Sequence, residues 1–166
     1  IEEAGIHSGD SACVLPPYKI TSSALEQINT ATEKLAIRLN VVGLINIQFA
    51  YKDNQLYALE VNPRASRTIP FVSKATNTPL ARIAAQLSVG ATLDQFELQP
   101  WGDNRHVAVK EAVFPFNKFP NESIFLSPEM KSTGEVMGIS KNLGEAFRKA
   151  CIGAGNTLPR SGKVFI

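Results

Sequence analysis

LINIQFAYKDNQLYALEVN, residues Leu44–Asn62, consists of two runs of alternating apolar and polar residues, separated by the polar residues KDNQ. Alternation with a period of two is typical of half-buried strands, and the polar segment between the runs indicates a turn. The segment therefore predicts an antiparallel β-hairpin. Burying the apolar residues of both runs on one side requires odd-numbered residues to pair with odd-numbered residues. These residues are Ile45, Ile47, Phe49, Tyr51, Tyr57, Leu59 and Val61.

The same register places polar residues together on the opposite face of the hairpin. Gln48, Glu60 and Asn62 supply one carboxylate and two amide oxygens, a ligand set suited to a magnesium ion shared with substrate phosphates. The segment PRASRT follows at once and brings Arg64 and Arg67, whose guanidinium groups can bind phosphate in a bidentate manner. This combination predicts phosphoryl transfer. The alternative is a solvated face on which Glu60 pairs with an arginine, because antiparallel sheets commonly leave one face wet.

Helical patterns flank the hairpin. TSSALEQINTATEKLAIRLNV has apolar residues at helical spacing, and Ser22 and Ser23 with Glu26 predict a capping box at its start. We expect a loop over Arg64–Thr78. Pro79 then predicts the first position of a second helix.

The remaining segments mix strands with one helix. GIHSGDSACVLPPY predicts a loop that leads into an edge strand, HVAVKEAVFPF and GEVMGI predict strands, and SKNLGEAFRKACIGA predicts a helix capped by Ser140. The mixture, with an antiparallel hairpin, predicts an α+β fold. We expect residues 1–154 to form one domain and residues 155–166 to form a linker and the first strand of a following domain.

Composition excludes several classes of protein. Hydrophobic residues make up 44% and charged residues 19%, as in ordinary globular proteins, and the formal net charge is only +2. A nucleic-acid binder that relies on a broad basic face would need clustered Lys and Arg, so no nucleic-acid partner is expected. No apolar run has the length of a membrane span. Cys13 and Cys151 have no metal-ligand spacing, and we expect both to be reduced thiols in a cytoplasmic protein.

Five segments together resemble the large subunit of carbamoyl phosphate synthetase: GIHSGDSACVLPPY, INIQFA, LEVNPRASRTIPFVSKAT, KEAVFPFNKFP and SPEMKSTGEVMG. That subunit contains two related ATP-grasp units. NPRASRTIPFVSKAT and PEMKSTGEVMG are more similar to the second unit, which phosphorylates carbamate. The resemblance implies the C-terminal part of an ATP-grasp domain, with a mixed or antiparallel sheet and packed helices, in an ATP-grasp ligase.

The resemblance also implies roles for individual residues. Gln48, Glu60 and Asn62 would ligate two Mg²⁺ or Mn²⁺ ions, and Gln48 and Glu60 would also lie against ATP. Arg64 and Arg67 would be the catalytic residues that hold phosphate groups. The loop that lines the nucleotide site would consist of Gly5, Ile6, His7 and Ser8.

Two further binding sites follow from the resemblance. Relatives of bacterial type bind an amine-bearing activator, ornithine, at acidic positions that match Glu2, Asp10 and Glu111. A potassium ion would lie close to the nucleotide loop, near Ile6 and Ser11. Exposed acidic residues with no ligand explain the first three positions equally well.

The partners implied are the rest of the large subunit, which includes the first ATP-grasp unit and a regulatory domain, and a glutaminase small subunit. Carbamate would be the substrate, and the product would serve pyrimidine or arginine biosynthesis. The part of the unit that lies upstream of Ile1 in the family supplies the adenine pocket and the lid. We therefore expect the 166-residue chain not to turn over alone. The alternatives are another ATP-grasp carboxylate ligase, and a non-catalytic module that packs between domains.

Overall fold

The computed structural model describes residues 2–3, 5–98, 106–121, 123–156, 159 and 161–163. The chain folds into two compact units. Unit 1 comprises Ile1–Pro16 and Asp103–Ile166, and unit 2 comprises Pro17–Gly102. The elements in chain order are β1 (Cys13–Leu15), α1 (Ser22–Arg38), β2 (Asn46–Lys52), β3 (Gln55–Asn62), α2 (Thr68–Thr76), α3 (Leu80–Ser88), β4 (Val107–Val113), β5 (Gly134–Ser140) and α4 (Leu143–Gly153).

Unit 1 is a three-stranded antiparallel sheet covered by one helix. The strand order is β1-β4-β5, which confirms the prediction that β1 lies at an edge. Helix α4 packs on β4 and β5, and Val109, Ala146 and Ala150 form a fully buried core. Gly138 lets the helix come close, since a Cβ built there would lie 2.0 Å from the carbonyl oxygen of Ala146.

Unit 2 contains the predicted hairpin with three helices. Its strands β2 and β3 are joined by a two-residue turn, Asp53 and Asn54, whose φ angles of 52° and 61° are both left-handed. Two successive left-handed residues match the right-handed twist of a hairpin, and Asp and Asn tolerate this conformation well. Helix α1 packs against both strands. The buried side chains of α2 and α3 are those of Phe71, Ala75 and Ile83.

Three local predictions in unit 2 are wrong or shifted. The side chain of Thr21, which precedes α1, accepts a hydrogen bond from the backbone N–H of Ala24 at 3.2 Å, so Thr21 is the N-cap and the capping box with Glu26 is wrong. Most of the predicted loop Arg64–Thr78 is helix α2. Pro79 is the N-cap of α3 and not its first helical residue.

One cap in unit 1 differs as well. Asn142, not Ser140, caps α4, and its side-chain oxygen accepts from the backbone N–H of Glu145 at 2.8 Å. Ser140 is the last residue of β5.

The α+β class is confirmed by this mixture of helices and antiparallel strands. Cys13 and Cys151 are free thiols, as predicted. The strand expected at the C-terminus is KVFI, residues 163–166, of which all but Lys163 lie outside the described residues. The boundary at residue 155 stays a prediction. Among the described helices, none has the length and apolar character needed to cross a membrane.

Candidate functional site

The base of the hairpin in unit 2 has the predicted register. Gln48 lies directly opposite Glu60, and Asn46 lies opposite Asn62, on strands whose side chains alternate between faces. Directly opposite residues share a face, so Gln48 and Glu60 point to the same side. The Asn62 amide nitrogen donates to Glu60 Oε1 at 2.7 Å, which places the third predicted ligand beside the carboxylate. The hairpin therefore brings Gln48, Glu60 and Asn62 together.

The register changes toward the tip of the hairpin. Phe49 pairs with Ala58 and Tyr51 pairs with Leu56, so Leu59 is left as the extra residue of a β-bulge between Gln48 and Phe49. The prediction that odd residues pair along the whole hairpin is therefore wrong beyond Gln48. As a consequence Tyr57 and Leu59, expected on the buried side, are 47% and 53% exposed.

Cationic residues follow the end of β3 without a long connection. The exposed Arg64 donates through Nη1 to the carbonyl oxygen of Ala65 at 2.9 Å, and its backbone N–H donates to the carbonyl oxygen of Asn62 at 2.8 Å. Arg67, which is half-buried, is the N-cap of α2, and no side chain caps that helix. Lys74 lies exposed in its last turn. The first-turn N–H groups of α2 and the two arginines together favour anion binding after β3.

The polar face suits a hard divalent cation in its chemistry. It offers one carboxylate and two amide oxygens, and Glu60 is exposed enough to be reached from solvent. Within the described part of the chain, no group of three or more His, Cys, Asp or Glu side chains is placed to hold a metal. The set with Gln48 and Asn62 contains a single carboxylate, so substrate phosphates would have to complete the coordination.

The loop predicted to line the nucleotide lies in unit 1 and is held by several hydrogen bonds. His7 N–H donates to the carbonyl oxygen of Ser127 at 2.9 Å, and His7 Nδ1 accepts from the N–H of Gly9 at 3.0 Å. Gly5 has φ of 108°, a conformation that favours glycine. Ile6 N–H donates to the carbonyl oxygen of Glu3 at 3.3 Å. The nucleotide-lining role of Gly5, Ile6, His7 and Ser8 stays a prediction.

The acidic residues predicted to bind an effector also lie in unit 1, and each has a defined environment. Asp10 is 2% exposed, and its two carboxylate oxygens accept from the backbone N–H groups of Lys131 at 2.8 Å and Ser132 at 2.9 Å. Burial raises the pKa of Asp10, but the hydrogen bonds from Ser132 and Lys131 outweigh it, and the pKa lies below its ordinary value. Asp10 therefore links the loop to the segment after Glu129, and its effector role stays a prediction.

Glu2 and Glu111 differ from Asp10. Glu2 Oε2 accepts from the N–H of Ala12 at 2.7 Å. Burial raises the pKa of Glu111, and the neighbouring Glu2 raises it further, while Glu111 Oε2 is buried and has no hydrogen bond within the described part of the chain. Their effector role stays a prediction.

Sequence reasoning missed Lys110, which lies at the centre of the unit 1 sheet and is 0% exposed. Its Nζ donates to the carbonyl oxygen of Ser8 at 3.4 Å and lies 3.7 Å from Glu135 Oε2. The only signal in the sequence was a lysine inside the otherwise strand-like HVAVKEAV.

Comparison with known proteins gives consistent matches. A family described as "Carbamoyl-phosphate synthase L chain, ATP binding domain" matches residues 2–96. Proteins named carbamoyl phosphate synthase large chain from Archaeoglobus fulgidus and Methanothermobacter thermautotrophicus are 59% and 57% identical over the whole of this chain. That of Rhodopirellula baltica is 55% identical, also over the whole chain. The chain spans only 15% to 16% of the length of these relatives.

The family match covers the hairpin, the arginines and helices α1 to α3, together with the loop that contains His7. The chain therefore belongs to the family of carbamoyl-phosphate synthase L chain ATP-binding domains.

Proposed function

We propose that this chain takes part in the ATP- and Mg²⁺-dependent phosphorylation of carbamate to carbamoyl phosphate, within a carbamoyl phosphate synthase large chain. The observation that carries the proposal is the common face of Gln48, Glu60 and Asn62, with Arg64 and Arg67 following directly. The family match supports the use of ATP. The similarity of NPRASRTIPFVSKAT to the carbamate-phosphorylating unit supports the choice of substrate.

The polar face of the hairpin would hold the divalent ion. Glu60 would supply the charged ligand, and Gln48 and Asn62 would supply neutral oxygens. Bound Mg²⁺ or Mn²⁺ would neutralise phosphate charge during the transfer. The Asn62 hydrogen bond engages Glu60 Oε1, so Oε2 would be the oxygen that ligates the ion.

The arginines would act on the transferred group. The terminal phosphoryl group of ATP would pass to a carbamate oxygen, so the bond from phosphorus to the ADP oxygen breaks as the bond to carbamate forms. Charge spreads over the phosphoryl oxygens during this step, and Arg64 and Arg67 would offset it. Carbamate decomposes in water, so the reaction requires a site closed to solvent.

Glutaminase, the first ATP-grasp unit and a regulatory domain belong to the proposal as partners of the large chain. So do K⁺ near Ile6 and Ser11 and a role in pyrimidine or arginine biosynthesis. The isolated 166-residue chain is proposed to be inactive in synthesis.

The test uses a hybrid large chain in which this sequence replaces the matching segment of the Archaeoglobus fulgidus relative. Two partial reactions distinguish the two halves: ATP synthesis from carbamoyl phosphate and Mg·ADP, and ATP hydrolysis that depends on bicarbonate. Glu60→Ala should lower the first by more than about 100-fold, because a charged ligand of the metal is lost, and leave the second within about twofold. Glu33→Ala, a change on the exposed face of α1, should alter neither.

Loss of bicarbonate-dependent hydrolysis in the Glu60→Ala hybrid would assign the chain to the other half of the large chain. No change in either reaction would refute the metal-ligand role. A hybrid that carries the unaltered sequence and lacks both reactions would remove support for catalysis. The chain would then be better described as a packing module.

A further inference from the structure

We propose that Lys110 is a positioning residue that fixes the peptide unit between Ser8 and Gly9 and, through it, the imidazole of His7. The proposal rests on the proposed function in one respect, namely that the His7 loop contacts a nucleotide. The other part, that Lys110 holds the peptide unit and orients His7, does not depend on the proposed function.

The burial of Lys110 is not explained by packing. It lies in the middle strand β4, between Cys13 of β1 and Met137 of β5, and is 0% exposed. Ala108 and Ala112, on the same face of β4, are each 1% exposed. An apolar side chain would fill this place without the cost of burying an ammonium group. We therefore attribute the buried ammonium group to the interactions that it makes with its neighbours.

Those partners are one carboxylate and one carbonyl. Glu135 Oε2, 3.7 Å from Lys110 Nζ, is buried and has no hydrogen-bond partner among the described residues, so it compensates the charge of the ammonium group without accepting its protons. The carbonyl oxygen of Ser8, 3.4 Å away, accepts the hydrogen bond. The ion pair holds the ammonium group in place, and the ammonium group holds the loop.

The Ser8 carbonyl belongs to the same peptide unit as the N–H of Gly9. That N–H donates to His7 Nδ1 at 3.0 Å. A rotation of this peptide unit would break the bond to Lys110 and the bond to His7 together. Lys110 and the imidazole therefore hold opposite edges of one peptide plane.

This arrangement determines how His7 can act. A backbone N–H only donates, so Nδ1 is an acceptor and neutral His7 carries its proton on Nε2. The half-buried ring then presents Nε2–H as a hydrogen-bond donor, which suits an oxygen of a nucleotide. The Ser8 carbonyl also accepts from the backbone N–H of Ser11 at 3.4 Å, so without Lys110 the peptide unit loses one of three restraints, and the orientation of the ring is held less firmly.

The first experiment measures hydrogen exchange of the Gly9 amide in the 166-residue chain. The variant Lys110→Met/Glu135→Gln removes both charges of the buried ion pair, so neither partner is left as a charge without the other. The control Lys149→Met/Glu145→Gln removes an exposed Lys–Glu pair of the same unit, whose charged atoms lie 3.5 Å apart. We expect Gly9 exchange to rise about tenfold or more in the first variant and to stay within about twofold in the control. Unchanged Gly9 exchange with intact protection of Val109 would overturn the proposal.

The double variant could fail to fold, so the unaltered chain provides a second measurement. A buried, bonded ammonium group gives a separate ¹⁵N–¹H signal that exchanges slowly with water. Observation of this signal for Lys110 supports the contact, and rapid exchange overturns it.

The functional part is tested in the hybrid large chain. Lys110→Met/Glu135→Gln should raise KM for Mg·ATP about tenfold and leave kcat within about threefold, because binding is weakened and the phosphoryl-transfer groups are unaltered. Lys110→Arg/Glu135→Asp, which keeps a buried ion pair, should recover part of the loss. Faster Gly9 exchange with an unchanged KM would overturn the role of Lys110 in nucleotide binding. A parent hybrid without activity would instead refute the proposed function, and the exchange data would still decide the structural part.

Discussion

Gln48 in β2 lies directly opposite Glu60 in β3, and it is the last residue pair before the hairpin register shifts. A cross-strand pair of this kind places two side chains within reach of each other. A neutral amide opposite a carboxylate leaves the negative charge of Glu60 without a cross-strand partner of opposite sign. The divalent cation that we propose for this face would balance that charge.

Gln48→Lys tests this conclusion by supplying a cation from the protein. An ammonium group opposite Glu60 should form an ion pair that stabilises the hairpin by about 0.2 to 1 kcal/mol, and it should exclude a divalent ion. We expect Mg·ADP binding to weaken by more than about tenfold in calorimetric titration of the hybrid large chain, with no fall in melting temperature. The same change at the exposed Gln86 of α3 is the control and should leave binding unaltered. Normal Mg·ADP affinity in Gln48→Lys would contradict the assignment of this face.

Asp10→Asn should destabilise unit 1, because the amide cannot accept both backbone N–H groups of Lys131 and Ser132. Loss of hydrogen bonds to a charged group predicts a cost of about 2 to 3 kcal/mol at neutral pH, measured by urea denaturation. Asp94→Asn, at an exposed carboxylate of unit 2, is the control and should leave the free energy of unfolding nearly unaltered.

The contribution of Asp10 should also depend on pH with a defined sign. Its pKa in the folded chain is lowered from the ordinary 3.8. The stabilisation is therefore complete above this ordinary value and disappears as the pH falls through the folded-state pKa. The difference in unfolding free energy between the parent and Asp10→Asn should shrink only below about pH 4. A difference that instead disappears between about pH 7 and 5 would be inconsistent with the two backbone hydrogen bonds.

Gly138→Ala should be strongly destabilising, because the added Cβ would lie 2.0 Å from the carbonyl oxygen of Ala146 and 2.5 Å from the N of Ala150. Both atoms belong to the backbone of α4 and cannot rotate away, so we expect a loss of at least about 3 kcal/mol. Gly144→Ala adds the same methyl group 3.8 Å from its nearest neighbour, Asn142 Oδ1. That change should leave stability unaltered or raise it by up to about 1 kcal/mol. Equal melting temperatures of the two variants would show that α4 does not pack this closely on β5.

Thr21→Ala should remove the N-cap of α1 and cost about 1 kcal/mol in urea denaturation. Ser23→Ala, at an exposed position inside the first turn, should cost less than about 0.5 kcal/mol. A larger loss of stability in Ser23→Ala than in Thr21→Ala would instead support the capping box of Ser23 and Glu26 that the sequence predicts.

The hairpin was predictable because its information is local. Alternating residues define the strands, and Asp53 and Asn54 are residue types that accept the left-handed conformation of the turn. The bulge at Leu59 was not predictable, since the alternation of apolar residues favours the odd-with-odd register along the whole hairpin. Helix α2 was missed, although Pro70 lies in its first turn. Proline is tolerated there because the first N–H groups of a helix have no intrahelical acceptor.

In the two sites discussed, too, local residues were predictable and a residue with a distant partner was not. Glu60 and Asn62 were predicted from spacing on one strand, and Gln48 from the pairing of two adjacent strands. Lys110 was not, because its partner Ser8 is 102 residues away in the chain. A lysine in a strand usually faces solvent, and no local pattern indicates that a distant loop covers it.

The bulge at Leu59 separates the tip of the hairpin from its base. A spectroscopic label or a short peptide insertion at Asp53 and Asn54 would therefore report on the outer half of the ribbon, while the pairing of Gln48 with Glu60 stays as it is. The two ends of the same hairpin can thus be engineered separately, the tip as a reporter and the base as the proposed ligand site.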